Sequence, residues 1–305
     1  SYHNNRLVVY LNNPVRSDFS KMGVATMRLR KWSIVTVGLK NDENLSIVER
    51  NFKRPMGLCV NNNTLFMSSL YQLWRFENIL ETGSIYEGYD RLYVPQVAYT
   101  TGQIEIHDIG INTNNNIVFV NTLFSCLATI SETHSFVPIW KPPFISELAP
   151  EDRCHLNGMA IDSETGAAKY VTVVSQSNTP LGWWDYRKTG GSVIDIEKDE
   201  VISTGLSMPH SPRLYNNKLW LMDSGSGRFG YINMKDGHFE EVAFCPGFAR
   251  GLSFHNNYAI IAISLPRDDN AYEGLDLDKK IRSHKMKAFC GILIIDLSKG
   301  EIVHW

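Results

Sequence analysis

The 305-residue chain is poor in the features that define several protein classes. It has five cysteines (Cys59, Cys126, Cys154, Cys245 and Cys290), odd in number and without a C-x-x-C pair. That pattern excludes a disulfide framework or structural zinc site and predicts reduced thiols in a cytoplasmic protein. Net charge is −2, and no Lys/Arg run exceeds three residues, which argues against a nucleic-acid surface and an anionic-membrane surface. The most apolar stretches, such as 258–265 and 291–296, are far shorter than the roughly 20 residues that cross a bilayer. There is no P-loop, dinucleotide-binding glycine fingerprint, G-x-S-x-G elbow or H-E-x-x-H helix, so no nucleotide cofactor is expected. Helical periodicity is scarce.

What the chain has in quantity is short β-branched and aromatic runs separated by Asn, Gly and Asp turns, an all-β pattern. One module recurs: a small residue, an apolar strand, an Asn-rich turn, a second apolar strand and a small polar residue. Its copies are GLCVNNNTLFMSS, DIGINTNNNIVFVNT, GMAIDSETGAAKYVTVVS, SPRLYNNKLWLMDS and GLSFHNNYAIIAIS, anchored at Gly57, Asp108, Gly158, Ser211 and Gly251. Each is followed by a second hairpin, so one unit has four strands, and the spacing suits propeller blades. A sixth outer hairpin, Ser33 to Asn51, precedes the first module, with Arg6 to Leu11 and Gly23 to Leu29 available as its inner pair. The expectation is a single domain, residues 1–305, folded as a six-bladed β-propeller of four-stranded blades. Stacked blades cover both apolar faces of each sheet and leave only short edges. Three insertions, 138–154, 176–191 and 265–288, interrupt the repeat, and loops of that length commonly serve function. The second and third are expected to lie beside the same mouth of the ring as the site below.

Residues at one repeat position approach the propeller axis together, so equivalent positions are informative. Immediately before the anchors stand Met56, His107, Asn157, His210 and Arg250; two places earlier stand Arg54, Glu105, His155, Met208 and Phe248. Two chemistries are open. His107, His155 and His210 could ligate a divalent metal through neutral imidazoles. Alternatively, Arg54, Arg213 and Arg250 offer forked donors for a small polar or anionic ligand, Asn157 and His155 orient it, and His107, His210 and Asp108 serve as acid or base. Asp223 is a further acceptor. The competing structural readings are a histidine plug of the channel, turn chemistry for Asp108, and a packed loop anchor rather than a sugar platform for Trp183 and Trp184.

The runs RPMGL, EIHDIG, FVNTLFSCLAT, SFVPIWKPPFISELAPEDRCHLNGMA, GLSMPHSPR, LWLMDSGSG and GFARGLSF resemble those of an uncharacterised bacterial family whose members carry a domain of unknown function. The resemblance runs from about Arg54 onward and implies a propeller on which these runs cluster, with no reaction attached. HLNGMAID is also similar to the inner-strand signature of gluconolactonase-type six-bladed propellers, which hold calcium on carboxylates and amides. Here His107, His210 and Arg250 stand where hard oxygen ligands would be needed. The expected function is a small-molecule, glycan- or peptide-processing enzyme working at the channel mouth. The alternative is a non-catalytic propeller that binds a ligand or protein there, and an oligomer is compatible with both.

Overall fold

The computed structural model of the chain describes residues 25–28, 32–39, 45–86, 89, 91–265 and 273–305. They form an all-β propeller fold with five four-stranded antiparallel blades, not six. The chain divides into two compact units, Ser1–Gln103 and Ile104–Trp305.

In the first unit, β1 (Ala25–Arg28), β2 (Trp32–Leu39) and β3 (Leu45–Asn51) make a three-stranded sheet. The sixth outer hairpin is therefore present as β2 and β3, but one inner strand accompanies it among the described residues, and Arg6 to Leu11 lies outside them. The count of six fails here because this segment carries no copy of the anchor-and-Asn-turn module, so nothing in it encodes a regular inner pair. The first blade follows as β4 (Leu58–Asn61), β5 (Thr64–Ser68), β6 (Gln72–Asn78) and β7 (Tyr93–Thr100), packed around Leu65, Met67, Phe76 and Tyr93.

The second unit holds four successive blades. They are β8 (Ile106–Ile111), β9 (Ile117–Asn121), β10 (Cys126–Thr129) and β11 (Val137–Trp140); β12 (Leu156–Ile161), β13 (Ala168–Val173), β14 (Gly191–Asp195) and β15 (Glu200–Leu206); β16 (Pro209–Tyr215), β17 (Lys218–Asp223), β18 (Arg228–Ile232) and β19 (Phe239–Phe244); and β20 (Phe248–His255), β21 (Tyr258–Ser264), β22 (Gly291–Asp296) and β23 (Glu301–His304). The Asn-rich turns work because Asn tolerates left-handed backbone. Asn216 and Asn217 both have positive φ (48° and 58°), the geometry a tight two-residue hairpin needs to match strand twist.

The core of this unit lies between blades. Val118, Val120 and Leu127 pack on Leu156, Met159 and Val171 of the next blade; Ala160 and Val193 pack on Leu219 and Leu221; Met222 and Phe229 pack on Leu252, Ile261 and Leu293. At about 1.5–3 kcal/mol for each large apolar side chain buried, these interfaces hold the blades in sequence. The small anchors allow the close approach. A Cβ on Gly158 would stand 2.5 Å from Pro212 Cδ and 3.0 Å from the Ser211 backbone nitrogen. Neither atom belongs to a flexible side chain, so Gly158→Ala should destabilise this unit by about 1–3 kcal/mol in chemical denaturation.

Hydroxyls at strand ends tie the inner strands together. Thr122 Oγ1 donates to Leu156 O (2.6 Å), Ser224 Oγ to Ala249 O (2.6 Å), and Ser211 Oγ to Arg250 O. Among the described residues helix is confined to α1 (Asp276–Ser283) in the third insertion and to single turns at Trp184–Tyr186 and Ser224–Ser226. Among the described residues no helix is long and apolar enough to cross a membrane. All five cysteines are free, and burial pushes the thiols of Cys126, Cys154 and Cys245 up to about 12, which makes them inert packing residues.

Candidate functional site

The inner strands of the second unit are irregular at equivalent places. Pairing slips between Ile106 and Ile109, Leu156 and Gly158, His210 and Arg213, and Ala249 and Gly251. The residues in or beside these bulges are His107 and Asp108, Asn157, His210 and Ser211, and Arg250. A bulge re-aims a side chain that regular pleating would send elsewhere, and here the device recurs in all four blades. Upstream, Glu105, His155 and Met208 adopt left-handed backbone with φ of 55°, 50° and 47°, at an order of 1–3 kcal/mol each.

That backbone turn has a chemical consequence. It presents the carbonyls of Glu105 and Met208 to the rings two residues on, so His107 Nδ1 lies 3.0 Å from Glu105 O and His210 Nδ1 lies 2.7 Å from Met208 O. A carbonyl only accepts, so both Nδ1 atoms carry hydrogen. Thr122 agrees: its one hydroxyl hydrogen goes to Leu156 O, so at 2.6 Å from His107 Nδ1 it must accept. His155 Nδ1 lies 2.7 Å from Asp152 Oδ2, which fixes the same tautomer. All three imidazoles are thus held by Nδ1–H and keep their lone pair at Nε2.

The rings form one electrostatic cluster. His155 stands edge-on to His107 with centroids 5.0 Å apart, and its other side packs on Trp183 at 4.2 Å. Phe248 is edge-on to His210 at 5.4 Å and carries the Arg250 guanidinium over its face at 5.3 Å. Burial holds the His107 ring well below the ordinary histidine value of 6.5, reinforced by His155, Arg250 and His210, against a smaller opposing effect of the Glu105 carbonyl. His107 is neutral at physiological pH. His107 and Arg250 are half-buried, whereas His155, His210 and Asn157 are buried. Asn157 Oδ1 accepts from Thr172 Oγ1 (2.8 Å), while its amide nitrogen is buried without a hydrogen-bond partner among the described residues.

His155, Arg250 and His210 each act electrostatically on His107. Asp108 and Arg213 have another part. Arg213 grips Asp108 through two bonds (2.7 and 2.9 Å) and also donates to Met159 O and Pro212 O, and Asp108 further accepts from the Ile109 and Met159 amides. Together they form a strut joining three blades. Asp223 is fully buried and bonded to Arg228 and Ser226. Arg54, with φ of 50°, precedes β4 in the first unit. Among the described residues, no group of three or more His, Cys, Asp and Glu is arranged to hold a metal ion.

The insertions contribute directly. Trp183 from the second and Leu275, Leu277 and Ile281 from the third share one core with Val174, Met208 and Phe248, so both insertions pack behind the rings that touch His155 and His210. Trp183 is a buried anchor whose indole Nε1 donates to Asp152 Oδ2 (2.9 Å); Tyr186 is exposed. The first insertion is fastened by Arg153, which donates to Glu147, Glu151, Ser146 and Asn178. Asp152 and Phe248 were not singled out by polar-residue reasoning. The D-x-x-H spacing of Asp152 and His155 was the available signal for the former.

The model of a family described as "Domain of unknown function (DUF4915)" matches residues 18–305. No curated protein matches. Among solved structures, a chain of a nidogen–laminin complex aligns with a TM-score of 0.54 at 11% identity, covering 92% of this chain and 90% of its own. A gluconolactonase from Xanthomonas campestris aligns with a TM-score of 0.53 at 9% identity, covering 99% of this chain and 87% of its own. A streptogramin B lyase aligns at 0.45 and 14% identity, covering 79% and 76%. The first two likenesses establish the propeller fold and carry no chemistry.

Proposed function

We propose, for a chain that belongs to the DUF4915 family of domains of unknown function, that the imidazole cluster of the second unit is the acid–base centre of an enzyme acting on a small anionic molecule. The observation that supports this reading most is the tautomer lock: three rings held at Nδ1, each with a lone pair at Nε2, beside a guanidinium. Arg250 offers a forked donor to a carboxylate or phosphate, and the Asn157 amide offers a further N–H. His107, kept neutral, accepts a proton from the bound molecule. A metal fits poorly, because Arg250 opposes a cation and the His, Cys, Asp and Glu side chains among the described residues are not grouped to ligate one. Calcium-dependent lactone hydrolysis of the gluconolactonase kind is disfavoured by His107, His210 and Arg250 standing where hard oxygen ligands would be needed.

The test is calorimetric titration of the protein with a panel of small carboxylates, sugar acids, a sugar lactone and phosphate esters. Products of every binder are then followed by proton NMR. An anionic member should bind, and Arg250→Met should weaken it roughly 10- to 150-fold, the worth of one charge-assisted hydrogen bond. Equal binding of neutral and anionic members, unaffected by the substitution, would overturn the anion assignment. Binding without turnover of any member would favour the ligand-binding propeller.

A further inference from the structure

Asp152 sits in the loop leading into β12, three residues before His155, and is buried to 7% exposure. Its Oδ2 accepts from His155 Nδ1 (2.7 Å) and from Trp183 Nε1 (2.9 Å). Its Oδ1 is buried and has no hydrogen-bond partner among the described residues. The backbone holds it there: Asp152 N donates to Leu123 O (2.8 Å), Arg153 N donates to Ser125 Oγ (3.2 Å), and Asp152 itself is left-handed at φ 46°. A carboxylate desolvated to this degree is costly unless it compensates a positive charge. His155 is the group in position to supply one.

The two neighbouring rings face different surroundings. His155 is faced by the Asp152 carboxylate, the Trp183 ring and His107. His107 is faced by His155, His210 and Arg250, and its Nδ1 has only uncharged acceptors, Glu105 O and Thr122 Oγ1. Titratable neighbours placed in opposed environments mark a division of acid and base work. From this juxtaposition we infer that Asp152 is a positioning residue that makes His155 the first ring of the pair to take up a proton, and so the acid of the site, while His107 rests neutral and presents its lone pair as the base. In that role protonated His155 gives its Nε2 proton to the bound molecule while His107 Nε2 accepts one from it, and both rings return to their resting states by proton exchange with water, with His155 Nδ1–H retained and Asp152 remaining an anion. Its meaning for catalysis rests on the reading proposed above, but the protonation order does not.

The experiment is nitrogen-15 NMR of the histidine rings in the whole folded chain, without ligand, as pH is lowered from 8 to 5. At pH 8, His155 should show the Nδ1–H tautomer, and the imidazolium pattern should appear at His155 before His107. In Asp152→Asn, the pH at which His155 acquires that pattern should fall by about one unit or more, since an amide cannot offset the charge. Trp183→Phe, which leaves the carboxylate in place, should preserve the order. If His107 protonates first, if His155 is the Nε2–H tautomer, or if Asp152→Asn changes nothing at His155, the inference is wrong. The wild-type order alone decides it should Asp152→Asn not fold. Failure of the ligand panel would leave these spectra as expected, so the two readings fail separately.

Discussion

Asp108→Ala is expected to lower the stability of the second unit by about 3 kcal/mol, measured by urea denaturation followed through tryptophan fluorescence. Asp108 is 5% exposed and meets Arg213 through a two-bond ion pair while accepting from two backbone amides. Removing one partner of such a pair strands a partly desolvated guanidinium and leaves the Ile109 and Met159 amides without their acceptor, a class of change that typically costs 3–5 kcal/mol. The lower end applies because the Arg213 side chain retains 28% exposure. Replacing both partners by apolar residues of similar volume, Asp108→Leu with Arg213→Met, should recover much of the loss, because an apolar pair has no stranded charge. A loss below 1 kcal/mol in the single variant would mean that the strut contributes little, and would return Asp108 to consideration as an acid–base residue.

Asp108 also shows why the sequence could be read at some places and not at others. In EIHDIG it reads equally as an acid–base residue or as turn chemistry, and what separates it from His107 is the bulge between Ile106 and Ile109, which aims the two side chains differently. One of the pair goes to the imidazole cluster and the other to the blade interface. The repeat itself was legible because each copy carries two local signals, a small anchor where blades approach closely and an Asn turn that needs left-handed backbone. The segment of the three-stranded N-terminal sheet carries no copy of that module, and there the blade count failed. His107, Asn157, His210 and Arg250 can be grouped as candidates from the sequence because they share a repeat position. The bulges that aim them, and the left-handed carbonyls that set two of their tautomers, follow from backbone pairing that no residue type announces. Asp152 lies in an insertion, outside any repeat register, so equivalence between blades could not reveal it.

His107→Gln is expected to abolish most turnover of whichever anionic ligand the panel identifies, by roughly 10²- to 10⁴-fold, the usual contribution of a positioned base, while leaving binding within a few-fold of wild type. Glutamine keeps a polar tip of similar reach but cannot accept a proton, so a loss in kcat with KM unchanged isolates proton transfer from packing. The pH dependence carries an independent sign. Because burial and the neighbouring Arg250 hold the His107 ring below 6.5, the unfolded chain binds more protons than the folded one just beneath that pH. Stability should therefore be complete above about 6.5 and decline as pH falls, until the folded ring itself takes the proton, at about 1.4 kcal/mol for each unit of displacement. His107→Gln should flatten that decline. Arg250→Met removes one of the effects depressing the ring, so it should move the acid limb of the rate profile, and the His107 signals in NMR, to higher pH. An acid limb that stays in place in Arg250→Met, or a His107→Gln variant that loses stability at neutral pH with turnover intact, would reassign the ring from base to structural plug.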